Sequence, residues 1–170
     1  MAITSQTFSA TIDAWVAKAK HRQDAVFKES TQRLISEAQR VGPSKKNPTG
    51  DGGNMPVDTG FLRKSGVAST DGPTPIDPKG VPPRTVKSEN GEDVKPSYTF
   101  TMGPVAAVIA TLEMGMQIWF CWTAAYARVV EYGGINRIGR GFARLAAQQW
   151  QTIVSQVAKE ARDGAFDGNK

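Results

Sequence analysis

The chain of 170 residues holds one cysteine and one histidine. A single thiol excludes a disulfide framework, and His21 and Cys121 would each have to serve alone in a zinc knuckle or a Cys–His dyad. A lone Cys beside four Trp also reads as a chain that folds without oxidative help, as a cytoplasmic protein does. Neither sign of charge dominates: 21 Lys and Arg stand against 16 Asp and Glu, a formal net charge of +5. The opening MAITSQTFSATIDAW has no basic run leading into an apolar one, and Asp13 comes early, so it does not read as a secretory signal. One apolar stretch, 105–130, is long enough to span a bilayer. Its middle carries Glu113, Gly115 and Gln117, where a charge costs roughly 2.5–3.5 kcal/mol, so no membrane association is expected.

What is present is an ordinary globular composition, 39% hydrophobic with 17 Gly, at a length that makes about one domain with roughly two-thirds of its unfolded surface buried. Residues 5–41 read as one long amphipathic helix. Phe8, Ile12, Trp15, Ala19, Val26, Leu34 and Ala38 recur at steps near three, four or seven, Ser5 or Thr7 caps the start, and Gly42–Pro43 stops it. Such a helix is too long to be covered by a small sheet, and part of its apolar stripe is expected to meet another helix or another subunit. Two long loops are expected, 42–56 with the pair Lys45–Lys46, and the Pro-rich 71–96, mobile until a partner holds them.

Between the loops, Thr59 caps a short helical turn through Phe61, Leu62 and Arg63, with a strand near 66–70. Tyr98, Phe100 and Met102 alternate with Thr99 and Thr101, the period of a half-buried strand that Gly103–Pro104 breaks. The apolar runs 105–112 and 117–122 fit buried strands joined by a turn at 113–117, in an antiparallel meander. AAYARVVEYGG is a short helix stopped by Gly133 or Gly134, GGINRIGRG a flexible basic loop, and 142–162 a closing helix carrying Phe142, Leu145, Ala146, Ile153, Val157 and Ala161 on one face. The expected fold is α+β in one domain, 1–170: a long N-terminal helix, an antiparallel sheet of three to four strands, a short helix, a long C-terminal helix, and a frayed tail at 163–170.

Candidate chemistry is sparse. Asp58-Thr59-Gly60 matches the triplet with which dimeric aspartic proteases pair two carboxylates, but Asn54-Met55-Pro56 stands where a hydrophobic strand is needed, so a helix cap is the better reading. Asp51, Asp58, Glu89, Glu92 and Asp93 lack calcium-loop spacing, and neither GDGG nor GGINRIGRG is a phosphate loop. No catalytic residue, metal or cofactor is expected. Arg137, Arg140 and Arg144 among Gly134, Gly139 and Gly141 can neutralise phosphates or meet an acidic partner surface. Trp119 and Trp122 read as core. Glu131, between Tyr126 and Tyr132 on an apolar helix, is expected to anchor an arginine such as Arg63, or a neighbouring subunit.

These segments in this order resemble the neck or tail-completion proteins of long-tailed bacteriophages. Val57, Asp58, Thr59, Gly60, Leu62, Arg63 and Ser65 match one family segment; Tyr126, Ala127, Glu131, Tyr132 and Gly133 match a second; Phe142 and Ala146 fit a third. The resemblance implies a non-enzymatic virion protein, made in the host cytoplasm, that forms a ring of its own copies between the portal–connector and the tail tube. Its implied partners are other copies, connector or head-completion proteins, and tail-tube or tail-terminator proteins, with DNA nearby in the channel. Lys45, Lys46, Arg137, Arg140 and Arg144 are the expected partner contacts. The alternatives are a small basic DNA-binding protein and, more remotely, a dimeric aspartic protease through Asp58.

Overall fold

A computed structural model describes residues 5–43 and 48–164, with the side chains of 5–8 excepted. The expected caps Ser5 and Thr7, the stripe residue Phe8, the pair Lys45–Lys46 and the tail beyond Gly164 therefore lie outside the described side chains or residues. In chain order the elements are α1 (Ser5–Ala38), α2 (Phe61–Lys64), β1 (Gly66–Ser69), β2 (Val86–Lys87), β3 (Asp93–Val94), α3 (Gly103–Ala110), β4 (Trp119–Trp122), α4 (Ala127–Tyr132), β5 (Gly133–Gly134), β6 (Arg137–Ile138), α5 (Phe142–Gln148) and α6 (Trp150–Arg162). The fold is α+β, with a long helix at each end and small antiparallel ladders between them. No helix among the described residues is long and apolar enough to cross a membrane.

Several elements differ from expectation for identifiable reasons. Among the described residues the strands do not form one sheet of three to four; they pair as three two-stranded antiparallel ladders, β1–β4, β2–β3 and β5–β6. The first is the longest, running from Gly66 opposite Trp122 to Ser69 opposite Trp119. The expected strand 105–112 is helix α3. Pro104 sits in its first turn, where a missing N–H costs nothing, and the buried Val105, Ile109 and Leu112 follow at steps of four and three. Residues 98–102 alternate half-buried Tyr98, Phe100 and Met102 with exposed Thr99 and Thr101, but they join no ladder among the described residues. The closing helix is interrupted at Gln149, which ends α5 and starts α6.

The loops are fastened to their own chain more than the sequence implies. Helix α1 stops at Ala38 because Val41 pairs with Met55 in a parallel bridge, and Met55 is fully buried. The N–H groups of Asp51 and Gly53 both bond the Val41 carbonyl, at 2.8 and 3.0 Å. Loop 71–96 contains the β2–β3 hairpin and is stitched to the strand end by Asp77 N–H to Thr123 O at 2.8 Å and Ala125 N–H to Gly80 O at 2.9 Å. The expected basic loop at 133–141 holds the β5–β6 hairpin.

Two apolar clusters hold the molecule. One joins Met55, Leu62, Ala124, Ala127, Val130 and Phe142, with Trp122 stacked edge-on to Phe142 at 4.8 Å. The other joins Ile35 of α1 to Val105, Ile109 and Leu112 of α3 and its end, with Phe100, Ile118 and Phe120 against it. Helix α6 is clamped to α1 by Arg33, whose guanidinium meets Glu29 at 2.6 Å and Glu160 at 2.6 Å. These bonds push the Arg33 pKa further above its already high ordinary value, and the Glu160 carboxyl below its own.

Candidate functional site

The segment from Val57 to Ser65 is shaped by one glycine. Gly60 adopts φ 82°, and a Cβ there would come within 2.0 Å of the Tyr98 carbonyl oxygen, so the close approach of chain segment 98 to segment 60 requires a residue without a side chain. It is Gly60, not Thr59, that precedes α2 as the cap; Thr59 Oγ1 still accepts the Phe61 N–H at 3.3 Å, and its carbonyl accepts the Tyr98 N–H at 2.7 Å. Leu62 turns into the core. Ser65 Oγ donates to the Leu62 carbonyl at 2.7 Å, and the Ser65 carbonyl receives Thr123 N–H at 3.0 Å, which seats α2 on the end of β4. Asp58 points outward, 76% exposed at its side chain, and bonds Lys95.

The second segment supplies a buried acid. Glu131 is 5% exposed. Its Oε2 accepts the Ala143 N–H at 3.0 Å, and its Oε1 accepts the Arg144 N–H at 3.1 Å and Arg144 Nε at 3.2 Å. A carboxylate thus caps the first turn of α5, where the backbone N–H groups have no helical partner. Its partner is Arg144, not Arg63, which corrects the expected pairing; Arg63 instead offers its carbonyl to buried Gln39 at 3.1 Å. The Arg144 guanidinium also lies over the Tyr132 ring at 5.2 Å, so Arg144 is turned back onto its own chain. Gly133 ends α4 at φ 92°, with a virtual Cβ only 2.6 Å from the Arg137 carbonyl oxygen; this tight turn lets β5 start at once.

Together the segments form a cleft of about 340 Å³. Val57, Asp58, Thr59, Gly60 and Leu62 line one wall, Tyr126 and Val130 of the second segment line the other, and Arg137 and Arg140 stand at it from the hairpin. Pro56 and Pro82 complete it. Phe61 closes an aromatic edge, 5.2 Å from Tyr98 and 6.5 Å from Tyr126. Burial, and then the Asp58 carboxylate, push the Tyr126 phenol above its ordinary pKa of 10.0. Asp58 is the one carboxylate among the residues lining the cleft, and no group of three metal-ligating side chains occurs among the described residues. Arg63, Ser65, Ala127, Glu131, Gly133 and Phe142 support this surface from behind and do not line it.

Sequence reasoning missed the surface beside the cleft. The β5–β6 hairpin exposes Ile135 to 103% and Ile138 to 92% of their reference areas, with Arg137 and Arg140 exposed beside them. Its base is tied to α4 by Arg140 N–H to Val130 O at 2.8 Å and Gly141 N–H to Glu131 O at 3.0 Å. Two isoleucines inside a Gly/Arg loop were the available signal. No protein-family model, curated protein or solved structure matches this chain.

Proposed function

We propose that this protein is a structural component of a bacteriophage head–tail interface, a neck or tail-completion protein whose copies form a ring joining the portal–connector to the tail tube. The observation that carries the reading is the β5–β6 hairpin: two exposed isoleucines flanked by Arg137 and Arg140, on a base tied to α4 by the Arg140 and Gly141 N–H groups. Burying apolar side chains this exposed is favourable at roughly 25 cal/mol per Å², so they suit a surface completed by another protein. The cleft is lined from the two segments that carry the family resemblance, and the hairpin follows directly on the second, which supports this face as the one offered to connector or tail proteins.

The charge pattern fits an acidic partner surface. Between Glu113 and Glu160 the chain carries a single acid, Glu131, and that one is buried. Arg128, Arg137 and Arg140 on the same stretch face solvent. The same arginines are what the alternative, DNA binding, rests on; it predicts affinity for duplex DNA that falls steeply with salt. Assembly of particles without this chain tests the main reading. Heads and tails that fail to join are expected, and normally joined particles would overturn it.

A further inference from the structure

The cleft between residues 56–62 and α4 carries a charge imbalance that the fold itself does not use. Its surface is largely apolar, from Pro56, Val57, Leu62, Pro82 and Val130, with Tyr126 among them. Arg137 and Arg140 stand at it from the β5–β6 hairpin, both exposed. Neither forms an ion pair among the described residues, whereas Arg144 on the same stretch is held by Glu131 at 3.2 Å. Asp58, the one carboxylate lining the cleft, is already neutralised by Lys95. Two guanidinium groups therefore border an apolar hollow of about 340 Å³ that offers them no unpaired carboxylate.

We propose that this cleft binds an acidic segment of a partner protein, with an aliphatic side chain in the hollow and carboxylates on Arg137 and Arg140. This rests on the reading of the hairpin face as a contact surface and names the chemistry that the face contacts. The two halves of the site select against simpler ligands. An apolar segment without acids would strip water from the guanidinium groups and return nothing to them. Nucleic-acid phosphates would satisfy the arginines but place nothing in the aliphatic hollow. A segment with both features satisfies both. Guanidinium groups take carboxylates through paired, parallel hydrogen bonds, which fix the segment's orientation as well as adding affinity. An aliphatic side chain closing the hollow excludes water beside those bonds and strengthens them.

The test uses the full chain and a fluorescent peptide with one leucine between pairs of glutamates, followed by anisotropy at low ionic strength. Saturable binding is expected, and its absence overturns the proposal. Arg137→Ala with Arg140→Ala alters exposed side chains, so circular dichroism should match the wild type while affinity falls at least tenfold. Lys18→Ala with Lys20→Ala, at exposed positions outside the cleft lining, should leave affinity within twofold. Equal losses in the two variants mean general charge attraction and overturn the site. Two altered peptides on the wild-type chain make the test independent of any folding defect. Glutamine in place of every glutamate should abolish binding, and serine in place of leucine should weaken it at least fivefold. Unchanged affinity for either peptide overturns the proposal. So does a single- or double-stranded oligonucleotide that binds more tightly than the peptide and loses that affinity in the arginine variant. If the peptide does not bind yet particles lacking the chain fail to join, the acid-binding cleft falls and the neck reading stands. If binding shows both signatures but joining proceeds without the chain, the reverse holds.

Discussion

The two carboxylates of the family-like segments, Asp58 and Glu131, have opposite surroundings. Glu131 is enclosed and receives two backbone N–H groups and a guanidinium; Asp58 lies in water with one lysine beside it. An acid at the start of a helix with its N–H groups directed at the carboxylate is part of the scaffold, because removing it leaves helix-end donors without their acceptor. An exposed ion pair gains little, since solvent screens it and two long side chains lose freedom in holding it. The acid that looks catalytic in sequence is therefore the less constrained one, and the acid that looks incidental fixes the hairpin and α5 together.

Breaking the contrast at its stronger end should give the largest effect. Glu131→Ala is expected to lower unfolding free energy by about 2 kcal/mol, read from denaturant titration, because it leaves the helix-end N–H groups of Ala143 and Arg144 without their acceptor. Glu131→Gln keeps the shape and an acceptor oxygen, and should cost about half as much. A loss under ~0.5 kcal/mol for the alanine variant would remove Glu131 from the scaffold. Tyr126 sits between the two extremes. Its phenol is held neutral by burial and then by Asp58, so its folded pKa lies above the ordinary 10.0. The stabilisation is complete below pH 10 and disappears as pH rises through the raised value; melting temperatures should drop in that alkaline window and drop less in Tyr126→Phe. The smallest effect belongs to Asp58→Asn, which should change stability by less than about 0.5 kcal/mol. It should also ease ionisation of Tyr126, seen as an earlier rise in tyrosinate absorbance.

The parts of the fold that were legible in sequence are those where one periodic signal acted alone. Helix α1 announced itself by seven apolar positions at helical steps, and α4 by Gly133 at its end. The ladder strands β1 and β4 lay where short apolar runs met turn residues. Helix α3 was misread because Val105, Val108 and Ile109 are β-branched and Gly103–Pro104 resembles a stop, although Pro104 equally marks a first turn. Segment 98–102 keeps its alternation of half-buried and exposed side chains, but pairing depends on a neighbour strand that local sequence does not encode. The capping of α5 by Glu131 was invisible for the same reason: acid and helix start are separated by a hairpin, so only the closed β5–β6 turn brings them together. Met55, in a Gly/Pro-rich loop, gave no periodic signal, and its burial follows from the bridge to Val41.

The separation of scaffold from contact surface is tested most directly by Ile135→Ser with Ile138→Ser in the assembling particle, alongside an unfolding curve of the purified variant. Both isoleucines face solvent, so the expected result is a stability within about 0.5 kcal/mol of wild type together with heads and tails that no longer join. Fully joined particles carrying the double variant would contradict the assignment of the hairpin as the joining surface.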